Sequence, residues 1–352
     1  YGIGGDGAVK MSYQTGRTKT ESVSYTVIEG AKKMAATWGL GSRTLGKEDF
    51  AAIPADATSV FFMRGVDKPI MNLAEIAKES PEMQEGLAKF QETTGVNLQG
   101  DVLDALGGGA AVYLSDSTGG GGMGSAVVLL GLRDKAKFAT AMNKLAAVAN
   151  MAADKLPMGP GYVRLISSRD GSNDLMTLRF PGLPVPAELT FVMTEKWLVL
   201  AATPQAALVA SRQIAGKGDG GLMANAAFSS RLPADKQLTG FSYSDTARYL
   251  GDGYMPVSML GSAIANAMRS PTDPSREPGL VVPVFNDLKR DVKPAIGFTY
   301  WKGEDLVTES HADHSMLVRG TSIAGTIVKV LSLMAIPAIG AAVVLIVLFV
   351  LL

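Results

Sequence analysis

The stretch Ile53-Pro54-Ala55-Asp56-Ala57-Thr58-Ser59-Val60-Phe61-Phe62-Met63 shares its plan with Leu232-Pro233-Ala234-Asp235-Lys236-Gln237-Leu238-Thr239-Gly240-Phe241-Ser242-Tyr243. Each copy opens on proline and aspartate and runs into an apolar stretch. Another aspartate, Asp67 or Asp245, and a helical pattern then follow. Proline fixes φ and turns the residue before it away from helix, while aspartate suits a turn. The motif therefore delivers the chain into the first strand of a repeated unit.

A second echo lies further out. Ser12-Tyr13-Gln14-Thr15-Gly16 leads to Thr20-Glu21-Ser22, as Thr299-Tyr300-Trp301-Lys302-Gly303 leads to Thr308-Glu309-Ser310. Both read as hairpins turning at a glycine. The expected organisation is the closing hairpin of a preceding unit (1–30), a linker (31–50), a first α+β unit (51–231) and a second, shorter one (232–313). A linker (314–328) and a transmembrane helix (329–352) complete it.

Local signals fill in the units. Ser80-Pro81 starts a helix that Gly95 stops, predicting 81–94, and Asp134 caps an amphipathic helix running to about Leu156. Asp101 to Leu106 reads as a short helix ending on Gly107-Gly108-Gly109. Ala110 to Ser115 and Ala126 to Leu132 then form a hairpin. Strands are expected at 162–169, 174–180, 188–193 and 197–202, and Thr203-Pro204 starts a helix that runs to about Gly216. The proline-rich 270–283 stretch and the glycine-rich 117–125 stretch read as exposed connectors. Strand pairs interrupting helices, without regular βαβ alternation, give the fold class: α+β, tandem repeated units of antiparallel sheet packed with helices, followed by a single C-terminal transmembrane helix.

That last element rests on residues 330–352, VLSLMAIPAIGAAVVLIVLFVLL, 23 positions without a charge. At 1.5 Å per residue they would extend about 34 Å, enough to cross a hydrocarbon core of about 30 Å. Membrane lipid, contacted through residues 330–352, is therefore an expected partner.

Composition narrows the chemistry. The 352 residues carry 33 basic and 33 acidic side chains, so no net field recruits nucleic acid, which is not expected as a partner. There is no cysteine, which removes thiolate chemistry, and only two histidines, His311 and His314. His311-Ala312-Asp313-His314, preceded by Glu309, is the one ligand-like cluster. It follows a β-like run, where positions three apart face opposite ways, so a polar strand end is expected over a metal site. Gly119 to Gly124 and Gly216 to Gly221 lack the lysine–hydroxyl ending of a phosphate loop and read as turns. Asp101 and Asp104 suit a helix N-terminus as well as a paired acid and base, and Ser125 and Ser258 lack a nucleophile setting. Met142, Met151, Met176 and Met193 sit in apolar patterns that suit core filling, with an apolar groove as the other reading. No catalytic, cofactor-binding or metal residue and no cofactor is expected, and the chain is not read as an enzyme.

Several segments together carry a resemblance: IPADAT at 53–58, TTGVNLQGDVLDALG at 93–107, AVYL at 111–114, TPQAAL at 203–208 and LPAD at 232–235. The chain resembles the bacterial envelope family catalogued as domain of unknown function 3352 over most of residues 1–315. The resemblance implies tandem α+β units exported from the cytoplasm and attached to the envelope, with no established activity to carry over. Arg319 and Lys329 alone would favour an inside location, but long domains translocate largely regardless of charge. The expectation is a single-pass membrane protein with its folded region on the periplasmic or envelope side. It would act as a structural or accessory subunit through contacts with another membrane or envelope protein. The alternative is a carrier or sensor of lipid or another apolar ligand.

Overall fold

The computed structural model describes residues 10–35, 43–65, 80–120, 123–155, 163–180, 188–218, 220–273 and 282–325. Among the described residues twelve strands form one antiparallel sheet. In chain order they are β1 (Lys10–Arg17), β2 (Glu21–Glu29), β3 (Ala57–Met63), β4 (Leu106–Ser115), β5 (Val127–Leu132) and β6 (Arg164–Asp170). There follow β7 (Asn173–Arg179), β8 (Thr190–Met193), β9 (Trp197–Ala201), β10 (Leu238–Ser244), β11 (Ala295–Lys302) and β12 (Asp305–Asp313). Their spatial order is β1-β2-β12-β11-β10-β3-β4-β5-β9-β8-β7-β6.

The order is nearly a palindrome about the β10–β3 pair. Outward on one side run β10, β11, β12 and the hairpin β2–β1; on the other run β3, β4, β5 and the hairpin β9–β8, with β7 and β6 beyond. Phe62 and Phe241 occupy the same position in the two sequence copies, and they are direct cross-strand partners. Their rings stack 5.6 Å apart at 10°. Equivalent residues meeting across an antiparallel pair mark a local two-fold relation between the copies.

Tandem units are thereby corrected. The two copies are halves of one sheet, because the first strand of each is hydrogen-bonded to the first strand of the other, and one core continues across the join. That core contains Val60, Phe62, Tyr113, Val127 and Leu129 from one half with Phe241, Tyr243, Ile296 and Phe298 from the other. The transmembrane helix in the same expectation is also unsupported: among the described residues no helix is long and apolar enough to cross a membrane. Residues 329–352 lie outside the described residues, as do Asp67 and 274–281. The hairpin within 1–30 completes this sheet, since β2 pairs with β12 from Leu306↔Ile28 to Asp313↔Glu21.

The helices are α1 (Ala31–Ala35), α2 (Lys47–Ala51), α3 (Pro81–Thr94), α4 (Lys135–Ala153) and α5 (Pro204–Arg212). They continue with α6 (Ala226–Ser229), α7 (Thr246–Met268), α8 (Phe285–Lys289) and α9 (residues 316–325). The expected linkers at 31–50 and 314–328 thus contain α1, part of α2, and α9. Ala206, Ala207 and Ala210 of α5 and Phe228 of α6 pack on the main core. Phe138 and Met142 of α4 cover a second cluster on alternate residues of the same strands, Leu130 and Leu132 among them. Alternation along β5 therefore feeds two cores, as a period of two requires.

Local chemistry sets the boundaries. Ser80 Oγ accepts the Met83 N–H at 3.3 Å and Gly95 closes α3 in the left-handed region. Asp134 accepts the Lys137 N–H at 2.9 Å to start α4. The β11–β12 turn uses Gly303 at φ 64 as expected, but Gly16 lies inside the β1 ladder opposite Val23. Thr18 makes that turn instead, its hydroxyl accepting the Thr20 and Glu21 N–H groups at 3.3 and 2.9 Å. Gly107 to Gly109 do not end a helix. All three have positive φ and form a bulge within β4, between the Leu106↔Leu132 and Ala110↔Leu130 pairs.

Candidate functional site

The cluster around Glu309 and His311 is built where three segments meet. Both side chains project from β12 on the core side, Glu21 and Tyr25 come from β2, and the loop carrying the second proline–aspartate motif lies over them. Arg231 and Lys236 bracket that loop. Arg231 reaches Glu21 at 2.6 Å and Lys236 reaches Glu309 at 2.5 Å. His311 Nε2 lies 2.8 Å from Glu309 and Nδ1 lies 3.4 Å from Glu21, while the Tyr25 hydroxyl donates to Glu309 at 3.2 Å. Lys236 also sits over the Tyr300 ring at 4.8 Å. The cluster binds the N-terminal hairpin to the second half of the sheet.

Burial pushes the Glu309 carboxyl up, but hydrogen bonds from Lys236 and His311 outweigh it and hold the group below the usual carboxylate range. A carboxyl lowered by folding stabilises above its unfolded pKa, and that contribution is lost as pH falls through the folded value. Glu309→Gln is expected to cost about 2 kcal/mol at neutral pH, as loss of hydrogen bonds to a charged group does. The cost, read from urea midpoints, should shrink in acid below the ordinary carboxylate range.

His314 is not part of this cluster. It lies just past β12, more than half exposed and 3.7 Å from Asp313. Asp313 in turn accepts the N–H groups of Lys293 and Ser315. The two histidines are thus separated, and among the described residues no group of three or more potential ligands could hold a metal ion.

The other candidates are engaged in the fold. Residues Leu98–Leu103 wind as a π-helical turn in which Asp101 accepts the Asn97 N–H at 2.9 Å, and Asp104, just beyond it, accepts the Gln99 amide at 2.7 Å. The two carboxylates therefore serve different bonds. Ser125 is buried, its carbonyl accepting from Thr118, and Ser258 lies within α7. Met176 and Met193 are buried and Met142 packs on the second core, whereas Met151 is exposed. Gly216, at φ 73, ends the helical run after α5, and Gly119 to Gly124 lie between β4 and β5.

A pocket of about 340 Å³ opens where the halves adjoin, lined by Asp56, Asp116, Asp245, Asn225, Arg248 and Lys289 with Ala57, Thr58 and Ala247. Asp56 accepts from Ser117, Asp116 pairs with Arg248 at 3.2 Å, and Asp245 caps α7. Its lining suits polar groups, not an acyl chain. Three apolar surfaces face outward. They are Met11 and Tyr13 on β1, the cross-strand pair Phe61 and Val112 on β3 and β4, and Met255, Met259, Leu260, Ile264 and Met268 on different sides of α7.

In comparison with known proteins, no family model matches the chain, and no curated protein or solved structure matches it either.

Proposed function

We propose that this chain is a non-enzymatic structural or accessory protein of the cell envelope, acting by contact with another membrane or envelope protein and touching lipid through residues 330–352. The observation that carries the protein contact is β1. It ends the sheet, is open on both faces, and presents Met11 and Tyr13, 67% and 64% exposed. An end strand offers a row of main-chain donors and acceptors to an extended segment, with pockets for alternate side chains supplying specificity. A symmetric antiparallel pairing of two β1 strands would set Lys10 against Arg17, a like-charge pair that disfavours self-association there. The sequence resemblance to an envelope family supports the location.

The test is a photo-crosslinking residue at Tyr13, activated in native membranes before mild detergent extraction and mass spectrometry. A companion captured at fixed ratio, and lost with Met11→Asp, is the expected result. A chain that runs alone and captures nothing overturns the reading.

A further inference from the structure

We propose that the two ends of the sheet are complementary pairing edges and that Asn150 holds the β6 edge shut, so that copies of this chain do not join end to end and β1 stays free for its partner. The inference rests on the reading of β1 as an open edge. Among the described residues neither β1 nor β6 has a strand on its outer side.

Register decides which main-chain groups point outward. In the β1–β2 hairpin the Thr18 N–H donates to the Glu21 carbonyl, and bonded pairs alternate from there. Met11, Tyr13, Thr15 and Arg17 therefore turn their N–H and C=O groups to the outer edge. On β7, Leu178 gives its N–H to Leu189, away from β6. Its partner Leu165 and, by alternation, Ser167 and Arg169 thus face outward on β6. The groups of Leu165 are already taken. The Asn150 side chain of α4 accepts the Leu165 N–H at 2.8 Å and donates to the Leu165 carbonyl at 2.9 Å, the paired bonds that a neighbouring strand would make. Arg164 fastens this part of α4, donating to the Asn150 carbonyl at 3.0 Å and pairing with Asp154. Among the described residues no side chain closes the outward groups of β1 in this way.

A second copy is the occupant that the β6 edge fits. An even number of antiparallel strands leaves β1 and β6 running in opposite directions, so β1 of one copy would lie antiparallel to β6 of the next. Cross-strand partners followed from Thr15 across the whole sheet arrive at Ser167, so the outward residues of both edges lie on one face. The register Met11↔Arg169, Tyr13↔Ser167 and Thr15↔Leu165 bonds all three β6 residues and continues both faces across the join. It also sets Lys10 opposite Asp170, an attractive pair. Charge opposes the pairing of two β1 strands, whereas it favours β1 on β6, and a head-to-tail contact of that kind propagates without closing. Covering one edge with a helix stops it.

The chain has no cysteine, so Ser12→Cys with Ser168→Cys, opposite each other in this register, reports the join by disulfide. The full chain in mild detergent is oxidised and sized by non-reducing electrophoresis. With Asn150 in place a single band is expected. Asn150→Leu keeps the side-chain volume, removes both bonds to Leu165, and should give a disulfide-linked ladder several-fold above that background. Thr15→Pro, which takes an outward N–H from β1 and none from its ladder with β2, should abolish the ladder. Arg164→Gln loosens the same part of α4 with Asn150 intact and should also give it, which keeps the test open should Asn150→Leu not fold. In the chain with no substitution, amide exchange at Leu165 should be several-fold slower than at Ser167 and Arg169. Equal exchange rates, a ladder with Asn150 in place, no ladder from a folded variant, or a ladder that persists with Thr15→Pro each overturn the lock. If the lock fails while the crosslinker at Tyr13 still captures a companion, β1 stands as a partner edge. A ladder with no companion captured leaves the lock standing and removes that reading.

Discussion

Arg64→Ala is expected to remove about 4 kcal/mol of stability at neutral pH, because it strands a buried carboxylate. Asp49 is fully buried, and Arg64 meets it with Nη2 2.6 Å from Oδ1 and Nε donating to Oδ2 at 3.0 Å. The same guanidinium donates to the Gly108 carbonyl at 2.8 Å and lies 5.9 Å from the Trp197 ring centroid. One side chain thus ties α2, the end of β3 and the β4 bulge together. Burial pushes the Asp49 carboxyl above its usual range despite the opposing Gly46 N–H and Arg64. For a carboxyl raised by folding, stability is greatest below the unfolded pKa and falls as pH rises through the folded value. Without Arg64 the carboxyl rises further, so the variant's deficit should be largest at neutral pH and shrink in acid, where Asp49 protonates. Urea unfolding at several pH values measures this. Asp49→Asn combined with Arg64→Met should recover part of the loss, because no charge is then buried unpaired.

The second large effect is expected at Gly131. A Cβ there would lie 1.8 Å from the Gly107 carbonyl oxygen and 2.8 Å from its carbon. Both obstacles are backbone, so no rotamer change relieves them. Gly131 also pairs with Trp197 on its other side, which blocks retreat of the strand. Gly131→Ala should cost about 3 kcal/mol, the upper end of ordinary overpacking, and lower the thermal midpoint accordingly. An equal substitution at Gly86, where an added Cβ would meet nothing within 4 Å beyond its own helix backbone and chain neighbours, should be mildly stabilising through helix propensity, by about 1 kcal/mol at most. The contrast between the two separates local crowding from a general effect of losing glycine.

What the sequence discloses is local, and what it hides is pairing between distant segments. The start of α3 at Ser80-Pro81 and of α4 after Asp134 follows from capping chemistry that acts within one turn. The proline–aspartate copies disclose two equivalent strands, but nothing local says that Phe62 and Phe241 stack on each other, so in the sequence equivalence looks like succession. Gly107 to Gly109 suit a helix end and a bulge alike, because both use positive φ. Lys47-Glu48-Asp49 looks like a solvated run in a linker, and only the burial of Asp49 against Arg64 distinguishes it. Of the surface features, β1 becomes an open end only once the strand order is known.

The hairpin β1–β2 takes the place in one half that β8–β9 takes in the other, yet it comes from the opposite end of the chain. Tyr25 and Glu309, joined across the β2–β12 pair, are 284 residues apart. As the chain is synthesised, this hairpin precedes β12 by every other strand of the sheet and waits for them before its pairing edge exists. The wait leaves the outer edge of β2, from Glu21 to Ile28, free to pair wrongly, the kind of hazard that slows folding and calls for a holding chaperone. Closure of the sheet is therefore a late event, and the first half can form its β3–β9 ladder before β12 has been made.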